Sequence, residues 1–556
     1  MATAIGFIHR YARCAAVRSN RSARTASSVR LFSSSSPRTV TVNSVAYAVS
    51  QPRPLVALLI DGGSQEYLAA ASAAGATPFL DSLLASGSEG SFLGSSSARG
   101  THALVSAQIP TLTNPNNVAI VCGAPASVTG ICGNYFLDES TQPPREKLMN
   151  SAEFLRAKTV FAQMQKEAKM QVTILTAKDK LLSLLSAGLD KASPLTLAFS
   201  IEKLGAAAAS AAAASAAAGG AGAAATASRS SKPQQSLSIA DLTPQARMSL
   251  HRGVQLLDLT APFYDYFESR PELLAACSDA QKECIKNRAV PDIYNPHISL
   301  YLLELGLQLL KADLARDASA TALSASTSSL PLSVAPRFYY LSTTDYVQHK
   351  FLPSDADAIE FYRYIDSVCR RIDESGAVLA FTADHGMNSK VGFDGQPKVV
   401  FLGSVLDKAG IGSTVILPIT DPYVKHHSSL GGYATIYLQD KRSSEVMRAM
   451  VLLRQVAGVY TVLNREEACK AFELPADRVG DIVVLGDAST VLGKRPEDHD
   501  LSHVPHLRSH GSMDEATVPM LINRRLKHEY SRRMTTGKTR NWHLLDIMFN
   551  GPMADK

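Results

Sequence analysis

Six carboxylate and imidazole side chains stand out for where they fall in the chain. Asp61 closes an apolar run, LVALLI (55–60), and the pair Asp384-His385 follows another, AVLAFT (377–382). Asp345 and His349 are spaced i, i+4, so one helical turn places both on one face. His510 lies between Ser509 and Gly511, late in the chain, in a stretch of loop character. Mixed carboxylate and imidazole donors suit zinc or another divalent first-row ion. An Asp behind a strand is more often only a helix cap. It is the joint occurrence of these residues at successive strand ends that argues for a metal site.

A candidate nucleophile sits in PTLTNPNNVAIVCG (110–123). Pro115 suits the first turn of a helix, which would start near Thr113-Asn114 and run through VAIVCG. A hydroxyl there faces free backbone N–H groups and the positive end of the helix dipole, a natural seat for phosphate. The bland alternative is that Thr113 merely caps the helix.

The elements that must position these residues can be read from hydropathy. LVALLI (55–60), QVTILT (171–176), RFYYLS (337–342) and AVLAFT (377–382) are continuous apolar runs, each followed by a polar cluster. Such runs suit central strands of a parallel sheet covered on both faces. Helical stretches are expected at about 65–87, 148–168, 298–315 and 355–374. The alternation predicts an α/β fold, a doubly wound and mostly parallel sheet with helices on both faces. Ligands bind beyond the carboxyl ends of strands in such sheets, where the polar clusters fall. Residues 433–463 read as β-α-β of a small α+β cap lobe inserted at 411–485. The core would then span 50–410, and the chain would return to it over 486–556.

The chain has 556 residues, 46% of them hydrophobic and 19% charged, which excludes a disordered or fibrous protein. Its net charge of +6 is concentrated at the front: residues 1–60 contain no Asp or Glu. Arg10, Arg13, Arg18, Arg21, Arg24 and Arg30 stand there among Ser and Ala, the signature of an organellar transit peptide. Residues 1–38 are therefore expected to be a leader, with RLFSSSS around Phe32 as a mitochondrial processing site. Loss of residues 1–32 would remove those six arginines and no acid, taking +6 to zero. The expected location is the mitochondrial matrix, or the cytoplasm if the leader does not function.

No membrane span is expected. Residues 206–227 hold sixteen alanines but no Leu, Ile or Phe, too weakly apolar for a bilayer. That stretch reads as a low-complexity insert at 205–235, and an Ala/Ser-rich patch at 317–331 as a second. The seven cysteines include no CxxC pair, which disfavours both a disulfide framework and cysteine-bound zinc. No clustered basic stripe is expected outside the leader, so nucleic acid is not an expected partner.

IDGGSQEYL, TNPNNVAIVCG, GICGNYF, TAKDKL, TTDYVQH, TADHGM and LRSHGS together resemble the phosphonoacetate hydrolases of the alkaline phosphatase superfamily. The likeness runs from about Pro54 to Leu526, apart from the two inserts. It implies an alkaline-phosphatase-like fold and two Zn2+ ions, with Mn2+ or Fe2+ as open alternatives. Asp61, Asp384 and His385, joined by Thr113, would hold one ion, and Asp345, His349 and His510 the other. It further implies Asn134 as a phosphoryl-oxygen ligand and Lys178 and Lys180 as anchors for the substrate's anionic groups. His426 or His427 would face the substrate. Ser428-Ser429 departs from the family, where a glycine-containing turn is expected.

The implied reaction is cleavage of the carbon–phosphorus bond of phosphonoacetate to acetate and phosphate through a phosphothreonine at Thr113. The partner is then a small phosphonate, with a homodimer as the candidate assembly. The alternatives are a phosphodiesterase or nucleotide pyrophosphatase on the same metal core, which needs stacking aromatics for a nucleoside, and a non-catalytic metal- or phosphonate-binding protein.

Overall fold

A computed structural model describes residues 38–49, 53–84, 95–96, 99–204, 259–326, 336–421, 427–502, 504 and 506–553. The leader up to Pro37, the alanine-rich insert and His426 lie outside these residues.

The central element is an eight-stranded sheet. Its strands run in the order Ser95–Ser96, Thr101–Ser106, Thr517–Ile522, Val378–Thr382, Leu55–Leu59, Arg337–Ser342, Gln171–Thr176, Thr196–Ser200. From Val378–Thr382 to Thr196–Ser200 every pairing is parallel; the pairings on the other side are antiparallel. The apolar runs are buried at each position because both faces are covered. Leu55, Ala57 and Leu59 point into one core with residues of the helices Thr113–Cys122, Val160–Ala168 and Leu544–Asn550. Val56 and Leu58 point into the other, against Gln65–Ala73, Ile298–Ser326 and Ala356–Glu374. This is the α/β architecture, with helices on both faces, that the hydropathy predicts.

A smaller, wholly antiparallel sheet orders Ser413–Ile416, Tyr433–Leu438, Ile482–Gly486 and Val459–Asn464. The helix Ser443–Leu453 links its second strand to Val459–Asn464 and shares its own core, which includes Ile436, Leu453 and Val484.

Local expectations differ from the structure in four places. The described part of 65–87, up to Leu84, is two helices, Gln65–Ala73 and Pro78–Leu84, because Gly75 turns with φ +64° and Pro78 starts a new first turn. The helix expected from 148 begins only at Val160, capped by the Thr159 side chain; Arg145–Leu148 instead pairs with Tyr135–Asp138. The first part of the 317–331 patch continues the helix to Ser326, as its alanine content favours. The C-terminal region does carry a basic cluster. Arg525, Lys527, Arg532 and Lys538 are exposed around the helix His528–Thr535, while Arg524 and Arg533 are paired with Asp373 and Asp546. No helix among the described residues is long and apolar enough to cross a membrane.

Candidate metal centre and nucleophile

Strand order assembles the site. Asp384, Asp61, Asp345 and Lys178 follow the carboxyl ends of Val378–Thr382, Leu55–Leu59, Arg337–Ser342 and Gln171–Thr176, which are consecutive neighbours in the sheet. Asp345 immediately precedes the short helix Tyr346–Lys350, whose single turn carries His349 back beside it, Nε2 to Oδ2 at 3.1 Å. His510 arrives on the far side: Arg508–Ser509 pairs with Asn388–Ser389, just past Asp384-His385. Its neighbour Gly511 has φ +124° and lies so close to Gly432 that a Cβ would sit 2.9 Å from the Gly432 nitrogen. A larger residue there would push this loop out of place.

Thr113 is the first residue of its helix, preceded by Leu112 as N-cap, and makes no capping hydrogen bond. Its Oγ1 instead lies 3.4 Å from both Asp61 Oδ1 and His385 Nε2. The hydroxyl therefore belongs to the charged cluster, against the bland alternative. Asp61 is likewise no cap, since the following helix takes Ser64 in that role.

The three clustered imidazoles share one orientation. The Nδ1 atoms of His349, His385 and His510 face the backbone carbonyls of Arg508, Gly386 and Thr111 at 2.6, 2.9 and 2.6 Å. A carbonyl only accepts, so each Nδ1 carries a proton and Nε2 is the atom turned toward the carboxylates, protonated in the imidazolium and a ligand atom once that proton is lost. This arrangement fixes a histidine for metal ligation. His427 is built the opposite way. Its Nδ1 accepts from the Ser429 N–H at 3.1 Å, so the neutral ring carries its proton on Nε2 and is a donor. Burial, then the charges of His349 and His510, holds it well below the ordinary histidine range. Ser428 and Ser429, which hold this turn, have φ +49° and +58°, the left-handed region where glycine is favoured.

The charges are unbalanced. Asp61, Asp345 and Asp384 are buried together, and Lys178 Nζ bridges Asp61 and Asp345 at 3.0 and 2.6 Å. Burial raises the pKa of Asp345, yet Lys178 and His349 drive it well below the usual carboxylate range. Asp384 moves the other way, pushed well above that range by burial and by Asp61. Burial works against a His385 imidazolium, but Asp384 and Asp61 outweigh it and raise the pKa to about 9. A carboxylate and an imidazole both drawn toward protonation mark a site short of positive charge, which a divalent cation supplies.

Two groups of ligating atoms lie within 4.8 Å of one another: Asp345 with His349 and His510, and Asp61 with Asp345 and His385. The first is the expected set. The second has Asp345 where Asp384 is expected, because Lys178 draws Asp61 and Asp345 together. The Asp384 oxygens accept from Gly62 N, His385 N and Asn117 Nδ2, and Oδ2 stands 3.8 Å from His385 Nε2.

A pH dependence follows for protein stripped of metal. A His385 pKa of about 9 exceeds the ordinary 6.5. The stabilisation from its imidazolium is complete below pH 6.5 and is lost as pH rises through 9. The raised pKa of Asp384 acts in the same sense. Chelated protein should therefore melt progressively lower from about pH 6.5 to 9, and metal-loaded protein should not. Parallel melting profiles for the two forms would contradict this account of the charges.

Thr113 opens into a pocket also lined by Asn134, Lys178, Lys180, Asp421 and His427. Lys180 is ion-paired with Asp421. Asn134 Nδ2, the atom that would serve a phosphoryl oxygen, donates to the Ile419 and Thr420 carbonyls at 3.3 and 3.2 Å. Sequence reasoning missed Asp421, although DPYVKHH places it just ahead of the histidine pair. It also missed Asn117, which the i, i+4 spacing from Thr113 could have revealed. Asn117 Nδ2 donates to the Thr113 carbonyl and to Asp384, and its Oδ1 accepts from Tyr340 and Ser342.

The sequence matches the type I phosphodiesterase/nucleotide pyrophosphatase family over residues 55–181 and 318–513. Among solved structures, it is similar to a phosphonoacetate hydrolase from Sinorhizobium meliloti 1021 in complex with phosphonoacetate. Identity is 31%, the TM-score 0.67, and the match covers 92% of this chain and 99% of that one. A second structure of that enzyme, in complex with phosphonoformate, matches with the same identity, coverage and TM-score.

Proposed function

The chain belongs to the type I phosphodiesterase/nucleotide pyrophosphatase family, among the phosphonoacetate hydrolases, and from this we propose that it hydrolyses phosphonoacetate to acetate and phosphate with Thr113 as nucleophile and two zinc ions. The observation that best supports this reading is the pairing of opposite chemistries in one pocket. A hydroxyl inside a metal-ligand cluster faces two lysines and a histidine N–H donor.

Asp345, His349 and His510 would hold one ion, and Asp61, Asp384 and His385, with Asp345 at hand, the other. Bound zinc would neutralise phosphoryl-oxygen charge and lower the pKa of a coordinated hydroxyl. The protein's own contribution is positional. The Thr113 helix aims Oγ1 at the phosphorus, with backbone N–H groups and the helix dipole behind the developing charge. Attack by Oγ1 would break the carbon–phosphorus bond and leave phosphothreonine, which water then hydrolyses. The departing carbanion spreads its charge into the carboxylate as an enolate-like species and takes up a proton from solvent to become acetate, as Oγ1 gives its proton up on attack. Lys178 and Lys180, beside that group, would stabilise it. The His427 Nε2–H would donate to a substrate oxygen.

A nucleotide-cleaving alternative needs an aromatic platform for a base. Among the described residues the pocket lining contains no Phe, Tyr or Trp, and Trp542 is buried in the core. The test measures acetate and phosphate release from phosphonoacetate beside cleavage of a nitrophenyl phosphodiester, before and after chelation and zinc return. Equimolar acetate and phosphate, lost on chelation and restored by zinc, is expected. Fast diester cleavage without acetate release would overturn the reading. We also propose mitochondrial import, for which a mature N-terminus just after Phe32 in a mitochondrial fraction is the expected result.

A further inference from the structure

Both lysines of the pocket are already committed. Lys178 is shared between Asp61 and Asp345, and Lys180 is paired with Asp421. The Lys180 and Asp421 side chains are 12% and 2% exposed, and both line the pocket that holds Thr113. A ligand carboxylate approaching Lys180 therefore meets a cation that already holds a carboxylate. One ammonium can bridge two carboxylates, as Lys178 does, but a second anion at the nearly buried Lys180 would leave a net negative charge there, so that Asp421 and the ligand repel each other.

We propose that Asp421 is an internal competitor that occupies the carboxylate seat at Lys180 and must be displaced by substrate, so that it sets the selectivity of the pocket. The inference rests on the reading of the site as one for a carboxylate-bearing phosphonate. A monocarboxylate held only by Lys180 has to displace Asp421 with nothing else to offset the cost. A ligand whose phosphoryl end is also bound brings enough interaction energy to do so. The apparent affinity for any carboxylate is lowered by the fraction of time that Asp421 leaves Lys180 open. Rejection of acetate is then built into the site as a repulsive element rather than as a missing contact. It also speeds departure of acetate, the product, since Asp421 returns to Lys180 as acetate leaves.

The test is titration of acetate into the metal-loaded full chain for wild type, Asp421→Asn, Asp421→Glu, Lys180→Met and the Asp421→Asn/Lys180→Met double variant. Asp421→Asn is expected to bind acetate at least about tenfold more tightly, and to show a lower KM for phosphonoacetate with stronger acetate inhibition. Asp421→Glu keeps a competitor and should resemble wild type. The double variant should lose the gain. Unchanged or weaker acetate binding by Asp421→Asn, or a gain that survives without Lys180, would overturn the proposal. A structure of wild type with phosphonoacetate gives an independent reading should the amide variant not fold. Lys180 should hold the ligand carboxylate with Asp421 displaced, and an intact Lys180–Asp421 pair would overturn the proposal. If wild type releases no acetate from phosphonoacetate, the functional reading fails, while the acetate titration still reports on Asp421.

Discussion

Replacing Thr113 by alanine should abolish turnover of phosphonoacetate, with kcat falling on the order of 10⁴-fold or more. The fold should be unaffected. Thr113 makes no capping hydrogen bond, its carbonyl still accepts from Asn117, and alanine favours a helix. Metal content should remain close to wild type, because the ligating clusters are complete without the hydroxyl. Rapid quench of wild type with phosphonate labelled at phosphorus should trap label on Thr113, and the variant should trap none. A variant that keeps most of its turnover would remove Thr113 from the mechanism. Loss of metal together with activity would instead make it a structural ligand.

Lys178→Met should be the most destabilising single change in the pocket when metal is absent. Its ammonium is the group that joins the buried Asp61 and Asp345 carboxylates. Burial raises the pKa of Asp61, as does Asp345, and Lys178 with His385 more than reverses this. Removing one partner of a buried charge cluster costs about 3–5 kcal/mol, because the remaining charges stay desolvated and unopposed. Methionine fills a similar volume, so little of the loss comes from a cavity. Zinc held there as proposed would return positive charge to the same carboxylates, and the deficit should shrink in the loaded protein. Denaturant unfolding of both proteins with chelator and with zinc measures the difference. An equal deficit in the two states would show that Lys178 acts by packing alone and that no cation shares its carboxylates.

Much of this site is legible in the primary structure because its signals are local. Six-residue apolar runs report strands buried on both faces, and polar residues that follow them report the end of the sheet where ligands bind. Pro115 near a helix start places Thr113, and the i, i+4 spacing brings His349 back to Asp345. Continuity and spacing are also where local reading failed. The stretches 65–87 and 148–168 were interrupted by a glycine turn and by a hairpin partner, and the alanine-rich patch after 317 extended a helix.

Which strand lies beside which was decided only by the tertiary structure. A hydrophobic run carries no address for its lateral neighbour, since the backbone ladder that joins strands is the same for every sequence. The order Val378–Thr382, Leu55–Leu59, Arg337–Ser342, Gln171–Thr176 therefore could not be read, and with it the place of Lys178 between Asp61 and Asp345. The same holds for the atoms that finish the chemistry. The Arg508, Gly386 and Thr111 carbonyls set three imidazoles one way, and the Ser429 N–H sets His427 the other. Asp421 reaches Lys180 across 241 positions of chain. The sequence determined which groups could bind metal and attack phosphorus; packing determined their charge balance and proton positions, because both depend on neighbours that chain order does not bring together.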